Sequence, residues 1–264
     1  MPDQILAGAP PSVAASATQA KSATDYWGRK LPNTPRDFIF GYGSLIDTPS
    51  RNTTCAKPIP AIPARLSAAF GYVRAWVDRS ASGFTALGLR RPRDGERAGT
   101  ANGVLYPADE TEMTQFDHRE LGYARVAVAA DMLEAVSWQS LPQHGSIWTY
   151  VPLDDQDGPT AASPDFPLLQ SYIDVFLEGA LEYGSAFAHE AIETTQDWSA
   201  YWLNDRALAR RPWVCDEHYA ETDQLLSTVH PASVHFGDRL FAEPFAACYL
   251  LLRTSTPNAS MSAV

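Results

Sequence analysis

The sequence predicts an α+β protein, with a mixed sheet or small barrel first and helices after it. Three observations predict this class. Between residues 37 and 152, short apolar or alternating stretches recur, separated by Gly and Pro clusters. Beyond residue 165 the apolar residues adopt helical spacing. The charge changes at the same place: residues 37–152 carry eleven basic and twelve acidic side chains, and residues 165–230 carry three and twelve.

The composition is that of an ordinary globular chain. Of 264 residues, 45% are hydrophobic and 19% charged, which excludes collagen-like and wholly disordered classes. No stretch approaches the ~20 apolar residues of a membrane span. The net charge of −11 argues against nucleic acid or an anionic membrane as partner, because both require a basic face. Three cysteines, Cys55, Cys215 and Cys248, are odd in number and widely spaced. That pattern disfavours a secreted disulfide framework, and a cytoplasmic location is expected. The arginines of residues 37–152 leave room for an anionic small molecule despite the acidic total.

The N-terminal residues 1–36 are rich in Ala, Ser, Pro and Thr and read as a flexible tail, without the basic and apolar regions of a secretory signal. Phe38-Ile39-Phe40 then reads as a buried strand entering a tight loop at Gly41-Tyr42-Gly43-Ser44. Ile59–Ala64, flanked and interrupted by prolines, reads as an edge or linker. Further strands are predicted at 68–77, 84–89, 103–106, 123–129 and 146–150. Asp109–Asp117 fits a short helix with acids in its first turn. In the extension, Leu168, Leu169, Tyr172, Val175, Phe176 and Gly179 mark one helix. A second is expected near 186–192 and another over 218–229, with an aromatic cluster at Trp198, Tyr201 and Trp202 between them. Residues 254–264 read as a disordered tail.

Two segments could carry chemistry. In Phe40-Gly41-Tyr42-Gly43-Ser44-Leu45, two glycines permit backbone angles that other residues avoid, so successive N–H groups can converge on an anion or a developing oxyanion. In Asp117-His118-Arg119-Glu120, four ionisable side chains sit together just before Gly122-Tyr123 and a predicted strand. Each segment alone also fits a plain turn or a solvated helix end.

Together the two segments resemble the γ-glutamylcyclotransferase superfamily, most nearly its ChaC-type branch. In that branch a strand-Tyr-Gly-Ser-Leu loop is followed by Asp-x-Arg-Glu leading to Gly-Tyr. Arg74-Ala75-Trp76 and Gly103-Val104-Leu105-Tyr106 resemble two intervening strands of the branch. The resemblance covers about residues 37–152 and implies a small mixed β-barrel flanked by helices. The helices of 153–253 are then an extension packed on that barrel. It implies that Glu120 is the catalytic carboxylate and that Tyr42, Gly43, Ser44 and Leu45 hold the γ-glutamyl end. Arg74 is expected to pair with a substrate carboxylate or with the acidic extension, and Tyr123 to contact substrate or cover the core. The activity implied is release of 5-oxoproline and a free amine or peptide from a γ-glutamyl compound, glutathione being one candidate. No metal or other cofactor is required for it.

For that role Glu120 should be partly desolvated, which raises its proton affinity, while Arg119 and Arg125 would oppose this if close. Strand geometry would turn Arg119 away from the pocket. Other classes remain open on the residues. Ser44 could be a nucleophile with His118 or His144 as base, although the second glycine of a Gly-x-Ser-x-Gly elbow is replaced by Ile46. Cys215 and His218 form half of a metal clip. The fold could also serve as a non-catalytic binding module, or the acidic 165–230 segment as a docking surface.

Overall fold

A computed structural model describes residues 35–153, 160–206 and 218–241. The expected tail at 254–264, Cys215 of the half clip, and all but the last two residues of the expected tail at 1–36 lie outside the described residues.

The first region comprises β1 (Asp37–Gly41), α1 (Thr48–Cys55), β2 (Ile62–Leu66), β3 (Val73–Ser80), β4 (Phe84–Arg90), β5 (Ala101–Ala108), α2 (Glu110–Arg119), β6 (Tyr123–Val128), β7 (Leu133–Ala135) and β8 (Ser146–Pro152). The second comprises β9 (Leu168–Leu169), α3 (Gln170–Leu181), α4 (Ser185–Glu193), β10 (Thr195–Gln196), β11 (Trp202–Asn204), α5 (Tyr219–Thr228), α6 (Ser233–Phe236) and β12 (Leu240–Phe241). The class is α+β, as predicted.

The sheet order corrects the barrel. Six strands run β6-β8-β1-β5-β2-β7, and β3 and β4 form a separate sheet with β10. No sheet closes on itself among the described residues. β1 lies near the centre, antiparallel to β5 and parallel to β8. Ile59–Ala64 is also more than an edge, since β2 sits between β5 and β7. Its proline is tolerated because β7 reaches only Ala64–Leu66, leaving Pro63 at an open stretch of that side.

α2 forms where its acids and cap predict. Asp109 accepts from the Glu112 N–H, and the Glu112 carboxylate accepts from the Asp109 N–H, which completes a capping box. α1 escaped the pattern reading because it has no apolar face. Its signals are local: Asp47 caps the Ser50 N–H, and a proline stands in its first turn.

The extension is part of the core. Tyr172, Ile173, Phe176 and Leu177 of α3 are buried together with Ile39, Trp76 and Tyr106 of the sheets. β10 pairs with β3 in parallel, Thr195 opposite Arg74. Trp198 and Trp202 are buried and stack at 5.4 Å, whereas Tyr201 is half-exposed. So α3 offers no free docking face. A Cβ at Gly179 would stand 2.3 Å from the Asp47 backbone N, so only glycine lets α3 lie against the start of α1. Tyr172, two helical turns earlier on the same side, is thereby placed beside the loop that follows β1.

Candidate active site

The loop after β1 is held by its carbonyls. At Gly41 the chain doubles back so closely that a Cβ would stand 2.7 Å from Leu45 Cβ. The turn closes with Ile46 N–H donating to the Gly43 carbonyl at 3.0 Å. Arg51 of α1 is buried beneath it and donates from Nη1 to the carbonyls of Leu45 (2.9 Å) and Ile46 (2.8 Å). Arg74 of β3 reaches the Tyr42 carbonyl at 3.3 Å. With the carbonyls drawn inward, the N–H groups of Gly43, Ser44 and Leu45 meet no acceptor among the described residues.

The glycines differ from expectation. Neither Gly41 nor Gly43 has a positive φ. Gly41 is required for space, while a Cβ at Gly43 would make ordinary contacts with Tyr172 Oη (3.5 Å) and Leu87 Cβ (3.6 Å).

Glu120 ends α2, its N–H still donating to the Phe116 carbonyl at 2.9 Å. Its carboxylate and the Tyr42–Leu45 loop line one cavity, with Leu87, Tyr123, Tyr150 and Tyr172 among the other walls. The space is about 30 Å³. Glu120 is 16% exposed at its side chain, and burial raises its pKa above the usual carboxylate range. Arg119 opposes that shift and Asp78 adds to it. The hydroxyls of the wall are anchored outward: Tyr42 donates to the Tyr150 carbonyl (2.7 Å), Tyr123 to the Leu87 carbonyl (2.9 Å), and Tyr150 to Asp117 Oδ1 (2.9 Å). Burial holds all three phenols above their ordinary pKa, so near neutrality they are uncharged.

Arg119 lies in the last turn of α2, not on a strand, but it stays out of the cavity that Glu120 lines, as expected. Its Nε approaches Glu120 Oε1 at 3.3 Å. Arg125 stays away, paired with Asp117 at 2.8 Å. Arg74 is 1% exposed and lines neither cavity described here, so of its two expected partners it takes the extension. Its remaining donors go to Asn102, Ala191, Thr194 and Thr195, so it ties β5 and the end of α4 to the loop instead of facing a ligand. Sequence reasoning missed Arg51, because nothing in an apolar-free octapeptide marks its one arginine as buried.

Ser44 has no base. Its Oγ accepts from Arg119 Nη2 at 3.1 Å, and no histidine bonds it among the described residues. His144 lines neither cavity described here. A second, larger cavity of about 430 Å³ adjoins the first and shares Ser44 and Tyr172 with it.

No protein-family model matches the chain, and no curated protein does. Solved structures similar to it include a γ-glutamyl cyclotransferase, at 13% identity and TM-score 0.43, covering 61% of this chain and 90% of that one. YkqA from Bacillus subtilis is 22% identical with TM-score 0.41, covering 59% and 52%. A γ-glutamyl cyclotransferase specific to glutathione, from yeast, is 17% identical with TM-score 0.33, covering 61% and 92%. These are remote likenesses of shape, and the chemistry has to come from this chain's own residues.

Proposed function

We propose that this protein is a γ-glutamyl cyclotransferase that releases 5-oxoproline from a γ-glutamyl amine or peptide. The observation that carries the reading is a single cavity in which three backbone N–H groups that meet no acceptor among the described residues share walls with a carboxylate of raised proton affinity. The reaction needs those two functions. The substrate's α-ammonium gives a proton to Glu120, and the freed amine attacks the γ-carbonyl to close a five-membered ring. The carbonyl oxygen becomes an oxyanion, for which the N–H groups of residues 43–45 are the donors. The C–N bond to the leaving amine then breaks as Glu120 returns the proton to that nitrogen, and the ring nitrogen passes its second proton to the freed carboxylate, leaving the neutral lactam.

The attacking and attacked groups belong to one molecule, so positioning does much of the work. Intramolecular reactions of this kind reach effective molarities of ~10⁵–10⁸ M. The raised pKa of Glu120 suits both halves of its task, since a stronger base takes the proton more readily and still returns it. The leaving portion would extend past Ser44 and Tyr172, which both cavities share, toward the larger one.

The test is to incubate the protein with a panel of γ-glutamyl compounds and measure 5-oxoproline. Release from at least one of them, abolished in Glu120→Gln, is expected. A panel with no release would overturn the reading.

A further inference from the structure

Arg51 is 1% exposed, yet it forms no ion pair among the described residues. By contrast, Arg65, Arg90 and Arg206 each meet a carboxylate at 2.5 to 2.7 Å. Arg51 donates to neutral oxygens: from Nε to the Ile59 carbonyl (3.1 Å), from Nη1 to the Leu45 and Ile46 carbonyls, and from Nη2 to Thr48 Oγ1 (2.9 Å). Two carboxylates stand at the start of α1, but they serve other donors. Asp47 accepts from the Ser50 N–H, and Glu182 from the Thr48 N–H and hydroxyl. A cation taken out of water is costly unless a negative charge answers it, and a neutral amide could hold the same carbonyls.

Arg51 reaches the site through peptide units. In a trans peptide the C=O and N–H point opposite ways. Nη1 fixes the Leu45 carbonyl and hence the Ile46 N–H, which donates to the Gly43 carbonyl at 3.0 Å. That carbonyl in turn fixes the Ser44 N–H, on the wall of the cavity that Glu120 lines. Each accepted hydrogen bond polarises the next unit, so a cation at one end strengthens the N–H at the other. A negative charge arising at the Ser44 N–H is the counter-charge that Arg51 otherwise lacks.

We propose that Arg51 is a positioning residue for the oxyanion: it holds the Ser44 N–H toward the γ-carbonyl oxygen and, through the intervening peptide dipoles, strengthens that donor as the charge develops. This role presupposes the cyclotransferase reading and adds to it a group outside the substrate site, since Arg51 lines neither cavity described here. Its effect falls on the transition state, because the ground-state carbonyl oxygen carries no full charge for a distant cation to stabilise.

The experiment measures 5-oxoproline release as kcat and KM for wild type, Arg51→Lys and Arg51→Met, with thermal melts to establish folding. The substrate is γ-glutamylglycine, or whichever panel compound the wild type turns over fastest. Arg51→Met removes the charge and should lower kcat about 100-fold, the low end of what one oxyanion donor supplies, with KM within about threefold of wild type. Arg51→Lys keeps the charge but not the forked reach, so its kcat should fall only about three- to tenfold. A purely structural role would raise KM as well, since the same loop walls the substrate cavity, and would not grade the two variants by charge. Unchanged kcat in either folded variant, equal losses in the two, a loss that appears in KM, or an Arg51→Lys chain that does not fold overturns the proposal and leaves the cyclotransferase reading standing. If Arg51→Met alone does not fold, the kcat and KM of Arg51→Lys decide by the same rule. No release by wild type from any panel compound overturns the cyclotransferase reading, and this role with it.

Discussion

Two Arg–Glu pairs in this molecule have opposite effects on their carboxylates. At the surface end of β4, Glu96 accepts from Arg90 through both oxygens, at 2.5 and 2.9 Å, and also from the Arg93 N–H at 2.8 Å. Its pKa is lowered to about 2, the hydrogen bond from Arg90 being the first cause. In the candidate active site, Glu120 has one contact with Arg119, at 3.3 Å through Nε, and its pKa is raised, burial being the first cause. The side chains are 27% and 16% exposed, so accessible area alone does not separate them. What differs is how deeply the carboxyl group is enclosed, desolvation being the first cause at Glu120 and a lesser one at Glu96, and where each guanidinium directs its hydrogen bonds. Arg90 gives both Nη groups to its glutamate, whereas Arg119 gives its four Nη hydrogens to neutral oxygens. A cation beside a carboxylate thus lowers its proton affinity most where its hydrogen bonds are aimed there, and burial outweighs it where they are not.

The strongest break of this comparison is Glu120→Gln, which keeps the shape and removes the base. Turnover should fall by ~10²–10⁴-fold, the usual contribution of general acid–base catalysis, while calorimetry still detects substrate binding. Near-normal 5-oxoproline release would make Glu120 structural.

The matching change at the other pair, Glu96→Gln, should leave turnover alone and cost about 1–3 kcal/mol of stability, read by denaturant unfolding at neutral pH. Its pH dependence has a definite sign. The folded pKa lies near 2, below the unfolded carboxylate value, so the unfolded chain binds the proton first as pH falls. The wild-type stabilisation is therefore present above about pH 4.5 and is lost toward pH 2. The difference between wild type and Glu96→Gln should shrink over that window. A constant difference from pH 6 to 2 would mean that packing, not the ion pair, carries the effect.

Arg119→Met sharpens the comparison from the other side. Arg119 opposes the raised pKa of Glu120, so its removal should raise that pKa further. Glu120 must be unprotonated to accept the ammonium proton, so the acid limb of the kcat/KM profile should move to higher pH. An unmoved limb would detach it from Glu120.

The smallest effect is expected at Gly43. Its backbone is ordinary and a Cβ would touch Tyr172 and Leu87 at normal distances. Gly43→Ala should change stability by less than about 1 kcal/mol and raise KM less than tenfold by narrowing the cavity. Gly41→Ala, with a Cβ at 2.7 Å from Leu45, should be the more damaging of the two in a thermal melt.

The residues show how far the sequence could be read. The capped helix α2, the helix α3 and the strands around β1 were legible, because caps, the 3.6-residue period and glycine punctuation are local signals. The two segments now facing one cavity were legible through their resemblance to a known pattern. The short strands β9, β10 and β11 were not, since two or three residues carry no period. The strand setting expected for Arg119 was wrong because one residue decides whether Glu120 ends a helix or starts a strand.

By itself the sequence determined the α+β class, the turn after β1, the presence of a carboxylate at the end of α2, and an acidic chain poor in cysteine. These depend on residues close together in the chain, or on simple totals. Tertiary structure alone decided that the main sheet stays open, that the extension completes the core, and that Arg74 holds the loop instead of a ligand. It also decided that burial outweighs Arg119 at Glu120. Each of these depends on which distant atoms exclude water from a group or accept its hydrogen bonds. No local pattern encodes that, because desolvation and hydrogen-bond partnership belong to the packed whole.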